Sequence, residues 1–154
     1  MTATTGATAM SSSRVIRCET CGKSNRVPAV AVGVPRCGQC HSPLPWIADA
    51  DDSTFDAAAV HVSVPVLVDL WAPWCGPCRA VSPALEQVAR RLAGRLKLVK
   101  VDVDVSREVG RRFQVQAVPT LLVLREGHVV GHQAGAASAQ ALEAWVEHTL
   151  AASH

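Results

Sequence analysis

The chain has 154 residues, 49% of them hydrophobic, and a net charge of +2. That apolar share excludes a disordered chain, and so small a charge excludes a polyelectrolyte that binds nucleic acid over its whole surface. The longest apolar run is far too short to span a bilayer, so no transmembrane segment and no membrane partner is expected.

Residues 1–13, "MTATTGATAMSSS", are small and polar, with neither the basic start nor the apolar stretch of a signal peptide. They predict a disordered leader, and without an export signal a cytoplasmic location, where structural disulfides are rare. Residues 14–46 are rich in Cys, Gly, Pro and Arg, without helical periodicity, as expected of loops tied together by a metal. Arg14, Arg17, Lys23, Arg26 and Arg36 face only Glu19 there, and such cations would offset an anionic thiolate cluster. A nucleic-acid patch is the competing reading of those cations, but Trp46 is the sole aromatic available for stacking, so no nucleic-acid partner is expected.

From residue 47 to the end the pattern is that of an α/β domain. "WIADA" reads as an edge strand, followed by an alanine-rich helical stretch with Asp52 or Ser53 as its N-cap. "VPVLVDLWA" (64–72) is a near-continuous apolar run, the mark of a strand covered on both faces. Val81, Leu85, Val88, Ala89 and Leu92 then recur at helical spacing, with Pro83 expected to kink the helix and Gly94 to stop it. "RLKLVKVDV" predicts a second buried strand, "SREVGRRFQV" a short polar helix, and "TLLVLREGHVVGHQ" a hairpin turning at Glu126-Gly127. Leu142, Trp145, Val146, Thr149 and Leu150 mark a terminal helix. Crossover helices demand parallel neighbours and the hairpin an antiparallel pair, so the expected class is α/β, a mixed central sheet flanked by helices and preceded by a small zinc-ribbon-like module.

Six cysteines fall in three CxxC pairs, and CxxC serves either metal binding or dithiol chemistry. Cys18, Cys21, Cys37 and Cys40 form C-x2-C-x15-C-x2-C, whose spacer lets two pairs converge in the closed tetrahedral shell of structural zinc. Gly22 and Gly38 suit the tight turns of such knuckles, and a segment with so few apolar anchors needs the metal to fold. Two local disulfides or four free thiols are the alternative. His41 follows Cys40, but four thiolates already fill the shell. Cys75 and Cys78 instead follow a buried strand and open a helix, whose free N–H groups and dipole favour a thiolate at Cys75. Cys75 is then the nucleophile toward a substrate disulfide and Cys78 the thiol that releases the mixed disulfide. Pro77 stiffens the loop between them, and residues 79–127 hold no Cys or His to complete a third metal pair. Asp69 interrupts the apolar run. It is either a surface-facing strand residue or a buried carboxyl whose raised pKa lets it exchange protons near neutral pH.

"WCGPC" after "VLVDLWAP", together with "AVPT" at 117–120 and "REGHVVGHQAGA", resembles the thioredoxin family over residues 47 to about 150. With the four-cysteine module, the chain resembles that family's zinc-bearing bacterial class. The resemblance implies that Asp69 accepts a proton for the inner cysteine, with Lys100 beside it. It implies that Pro119, otherwise a strand-start proline, is cis and faces the dithiol. Trp74, Gly76, Pro77, Val118, Pro119, Gly135 and Ala136 would form a flat docking surface for an extended client. Leu70 departs from the phenylalanine usual in the family, and Trp71 reads as a core residue or as one that supports the site from behind. The implied activity is reduction of protein disulfides by a monomer that thioredoxin reductase recharges and that binds no organic cofactor. An oxidant or isomerase is the rival in chemistry. A zinc-dependent redox sensor or holdase is the rival of another class.

Overall fold

The computed structural model describes residues 13–153. The leader expected over residues 1–13 lies outside them, apart from Ser13, which opens the first strand. β1 (Ser13–Arg17) and β2 (Ser24–Pro28) form an antiparallel hairpin with the first CxxC pair in its turn. These strands were not legible as such. They read Ser-Arg-Val-Ile-Arg and Ser-Asn-Arg-Val-Pro, and Val15 stays 62% exposed, so no clean period of two emerges.

The remaining strands are β3 (Trp46–Ala50), β4 (Val66–Trp71), β5 (Lys97–Asp102), β6 (Thr120–Arg125) and β7 (His128–Ala134). They make a five-stranded sheet in the order β3-β5-β4-β6-β7. The pairings β3–β5 and β4–β5 are parallel, whereas β4–β6 and β6–β7 are antiparallel. This is the expected mixed sheet, with β3 at its edge. The hairpin turn puts Glu126 at φ 53° and Gly127 at φ 81°, the left-handed pair that a two-residue connection requires.

Helices cover both faces. Val81, Leu85, Val88 and Ala89 of α2 (Gly76–Arg91) and Leu142 and Val146 of α4 (Ala139–Ala152) pack on Leu67, Leu98, Leu121 and Val123. On the other face Phe55, Ala59 of α1 (Asp56–Val60) and Val109 of α3 (Arg107–Arg112) cover Val66, Val68, Leu70, Val99 and Val101. Leu70 is fully buried there, where the smaller aliphatic side chain packs without leaving the core. Pro83 lies within α2, where its ring offers no N–H to the preceding turn. Among the described residues no helix is long and apolar enough to cross a membrane.

One expected cap is reassigned. Neither Asp52 nor Ser53 caps the alanine-rich stretch, which is a single π-helical turn. Asp51 instead accepts from the Ser53 and Thr54 backbone N–H groups in the turn before it, at 2.9 and 3.1 Å. Asp52 turns away and accepts from the Glu108 and Val109 N–H groups at 3.2 and 2.9 Å, serving α3. Its partners lie more than fifty residues downstream, beyond the reach of any local capping rule.

The hairpin region and the sheet meet at Lys97, which is fully buried. Its ammonium donates to the Ala29 and Ala58 carbonyls, both at 2.6 Å, and lies 4.1 Å from the centre of the Trp46 ring. Burial lowers its pKa to about 8, so it remains cationic at neutral pH. Replacing it leaves two carbonyls short of a donor in a dry site. Lys97→Met is expected to destabilise the protein by about 2 kcal/mol and to lower Tm by roughly 4–8 °C in thermal denaturation.

Candidate functional site

Strand β4 runs through the middle of the sheet, and the chain leaving its end supplies both sulfurs of the first site. Cys75 is the N-cap of α2, and Gly76 and Pro77 occupy the first helical positions, where a proline costs no hydrogen bond. Cys75 and Cys78 are joined as a disulfide. The Cys78 backbone N–H donates to Cys75 Sγ at 3.1 Å. That donor and the helix dipole are aimed where negative charge appears when the bond opens, at the outer sulfur.

Both cysteines are buried, in an apolar cluster with Ala72, Trp71, Val103 and Val118. Cys75 Sγ lies 3.6 Å from the Val118 carbonyl, and the Val118-Pro119 bond is cis. The Gly135 N–H donates to the Pro119 carbonyl at 3.0 Å, which holds the loop after β7 beside it. Trp74, Gly76, Pro77 and Ala136 are exposed, Trp74 by 68%. The structure therefore brings Val118, Pro119 and Gly135 together next to Cys75, with Trp74, Gly76 and Pro77 on its own loop.

Beneath the dithiol, Asp69 is 1% exposed, and neither carboxylate oxygen has a hydrogen-bond partner. It lines a cavity of about 180 Å³ with Trp71, Cys78, Arg79, Ser82 and Lys100. A space of that size admits water, and Asp69, Ser82 and Lys100 give it the polar partners it needs to bridge carboxyl and thiol. Burial raises the Asp69 pKa to about 6, against the opposing pull of the Lys100 cation. Lys100 does not bond to Asp69. Its ammonium contacts Ser82 Oγ and donates to Glu86 Oε2 at 3.2 Å. Ser82 and Glu86 were not anticipated, since on the sequence they are ordinary polar positions of an amphipathic helix.

The second site gathers the other four cysteines. Their sulfurs lie within 4.8 Å of one another. Cys18 and Cys40 are 3.5 Å apart and Cys21 and Cys37 are 3.6 Å apart, well beyond a disulfide bond of about 2.05 Å. Four thiolates about 2.3 Å from a tetrahedral zinc would stand about 3.8 Å apart, so the donor set fits that ion. The two knuckles share one backbone pattern. Cys18 N–H donates to the Lys23 carbonyl and Gly22 N–H to that of Cys18, while Cys37 and His41 repeat both bonds with Ser42 and Cys37. The left-handed residue after each second cysteine is Gly22, at φ 81°, in the first knuckle and His41, at φ 66°, in the second. Gly38 lies in the turn of the second knuckle, as expected, but without a left-handed φ. The pattern asks for φ > 0 at the residue after the second cysteine, and Gly38 precedes it. Asn25, also unanticipated, ties the knuckles together. It accepts from the Gly38 N–H at 2.9 Å and donates to Cys37 Sγ and the Lys23 carbonyl.

The sequence pattern of the family described as Thioredoxin matches residues 46–148. The chain is similar to Thioredoxin C-3 of Corynebacterium nephridii, at 34% identity over 140 residues, 88% of this chain and 95% of that protein. A match of that share has to run into the residues before Trp46. Thioredoxin C-2 of the same organism is 38% identical over 104 residues, covering 68% of this chain and 96% of that one. Thioredoxin of Bacillus subtilis is 40% identical over 104 residues, 68% and 98% respectively.

The buried carboxyl carries a stability consequence. With its pKa raised from 3.8 to about 6, the folded protein binds more protons than the unfolded chain between those values. The contribution of Asp69 to stability is full below pH 4 and is lost as pH rises through 6. Asp69→Asn escapes that loss. It is expected to stabilise the protein by on the order of 2–3 kcal/mol above pH 7 and by far less near pH 4. Denaturant midpoints at the two pH values check this.

Proposed function

The chain belongs to the thioredoxin family and is a thiol–disulfide oxidoreductase, and from that premise we propose that Cys75 and Cys78 exchange in turn as follows. In the reduced chain the Cys75 thiolate attacks one sulfur of a client disulfide. The client bond breaks, its other sulfur leaves as a thiolate that takes a proton from water, and Cys75 is joined to the client. The Asp69 carboxylate then takes the Cys78 thiol proton through the cavity that both line. The resulting Cys78 thiolate attacks Cys75 Sγ, and the client's second sulfur leaves and receives the proton from Asp69. The client gains two electrons and two protons, and the Cys75–Cys78 disulfide remains. Thioredoxin reductase, the family's partner, returns the two electrons.

The observation that carries this reading is the Cys78 N–H on Cys75 Sγ at 3.1 Å, because it makes the two sulfurs unequal. Only the outer one gains a donor from the helix end. Lys100 holds Asp69's proton affinity near neutrality from its place on the next strand. The exposed Trp74, Gly76, Pro77 and Ala136, with Val118, Pro119 and Gly135, form a low surface for an extended client, whose backbone pairs beside the cis proline. Protein disulfides of many kinds suit so unspecialised a surface, and we assign reduction in the cytoplasm by a monomer.

We assign residues 14–46 as a four-cysteine module that holds one structural zinc ion, and residues 47–154 as the exchange domain. Bound zinc would fix the two knuckles against each other and neutralise part of the thiolate charge. Arg17, whose guanidinium lies against Gly22, and Arg36, which donates to the His41 carbonyl at 3.1 Å, counter the rest.

Two tests follow. Cys75→Ser should abolish reduction of insulin-type disulfides, whereas Cys78→Ser should accumulate a mixed disulfide with the client, seen on non-reducing gels, because attack survives and release does not. Normal turnover by Cys78→Ser would refute the assigned roles. Elemental analysis of carefully reduced protein should find one zinc per chain, and serine at Cys18, Cys21, Cys37 or Cys40 should weaken its retention at least tenfold against a chelator.

A further inference from the structure

Strands β3, β5 and β4 place Asp49, Lys100 and Asp69 in one register row, so the three side chains stand side by side on the face covered by α2. Lys100 therefore has a carboxylate on either side, and Glu86 of α2 adds a third at 3.2 Å. Only Asp69 is deeply buried and unpartnered. The other two share a second cation. Arg14, on the hairpin strand β1, meets Asp49 with Nη2 at 3.1 Å from Oδ2 and Nε at 3.3 Å from the same atom. Its Nη1 reaches Glu86 Oε2 at 3.8 Å, the same oxygen that accepts a hydrogen bond from Lys100.

We infer that Arg14 and Glu86 are positioning residues for the exchange reaction: Arg14 occupies the two carboxylates that compete with Asp69 for Lys100, and so couples the four-cysteine segment to the proton acceptor beneath Cys78.

The sign follows from charge alone. While Arg14 neutralises Asp49 and Glu86, the Lys100 cation remains available to stabilise the Asp69 carboxylate across the sheet. Without Arg14, both rivals draw on Lys100, and their own negative charge repels that of Asp69. Its proton is then held more tightly. Removing Glu86 acts in the opposite direction, as it releases Lys100 and removes a like charge that raises the Asp69 pKa. The remaining charged or titratable groups about Asp69 are few. On α2 they are Cys78 and Arg79, whose guanidinium donates to the Pro73 carbonyl at 2.8 Å. From β6 the aligned residue is the uncharged Leu121. Arg14 and Glu86 are each about 30% exposed on their side chains, so both can be changed without opening the core.

This rests on Asp69 as the proton acceptor, and the experiment separates the two claims. The Asp69 carboxyl carbon is titrated by NMR in the oxidised full-length chain, and the rate of disulfide reduction is followed against pH in parallel. Arg14→Ala should raise the Asp69 midpoint by roughly 0.3–0.7 pH unit, the reach of a half-exposed ion pair, and Arg14→Lys should restore most of it. Glu86→Gln should lower the midpoint by a similar amount. In an Asp49→Asn, Glu86→Gln background, Arg14→Ala should move it no further. A purely structural Arg14 would alter unfolding without moving the midpoint, and that result overturns the coupling. So does a full Arg14→Ala shift that persists when both rivals are neutral. Asp69→Asn should abolish the inflection in the rate profile. If the inflection survives there, the acid–base reading itself is overturned, whatever the carboxyl titration shows.

Discussion

A carboxylate without a hydrogen bond sits at the centre of this sheet, and much of the neighbouring structure is explained by the need to tolerate it. β4 is covered on both faces, by α2 and α4 on one side and by α1 and α3 on the other. Asp69 is the polar residue in that strand, so its charge lies where water reaches it only through the cavity behind Cys78. An isolated buried charge would be expelled or neutralised. Lys100, one strand away, keeps the cost moderate, and the carboxyl stays able to change protonation near pH 6. A direct Lys100–Asp69 ion pair would have locked the carboxylate in its charged form. The contacts to Ser82 and Glu86 hold the ammonium short of that pairing, which leaves the acid usable.

The hairpin segment depends on a different balance. Its own apolar cluster comprises little more than Val27, Leu44 and two cysteines, extended by Trp46 from the first strand of the main sheet. So small a core does not offset the entropy of ordering some thirty residues. Metal ligation by the four cysteines would supply one remedy, and the buried Lys97 supplies another by binding the Ala29 carbonyl and the Trp46 ring at once. Trp46 also donates its indole N–H to the Pro28 carbonyl at 3.1 Å. The segment thus borrows both an aromatic and a cation from the larger sheet, which explains why its contacts reach as far as Asp49 and Glu86.

The elements legible in the sequence were those with an uninterrupted period: β4, β5, α2, the β6–β7 hairpin and α4 each announce themselves by apolar spacing over six or more residues. The cysteines were legible because their chemistry is restricted to few uses. Interactions that join distant segments were not legible. Asp52 reads as a local cap and serves α3, Asn25 reads as a loop residue and holds two knuckles, and Arg14 reads as one cation among several. Each acts through a partner at least twelve residues away, and only the tertiary fold selects that partner. Lys97 shows the same limit in a strand, where a lysine reads as solvent-facing yet is wholly enclosed.

All three CxxC segments share one feature, a hydrogen bond from the residue after the second cysteine back to the carbonyl of the first: Gly22 to Cys18, His41 to Cys37 and Arg79 to Cys75. The tetrapeptide alone therefore does not choose between metal and redox chemistry. The choice lies in what that following residue does. At Gly22 and His41 the backbone turns left-handed, the chain reverses, and the first cysteine's N–H is spent on the returning strand. The sulfurs are then free to point outward toward a second pair. At Arg79 the backbone continues as helix, so Cys78 is held one turn from Cys75 and the two sulfurs bond to each other. Proline between the cysteines favours the second outcome because its φ is already helical. One sequence motif thus yields a converging ligand pair or a bonded dithiol according to a single backbone decision.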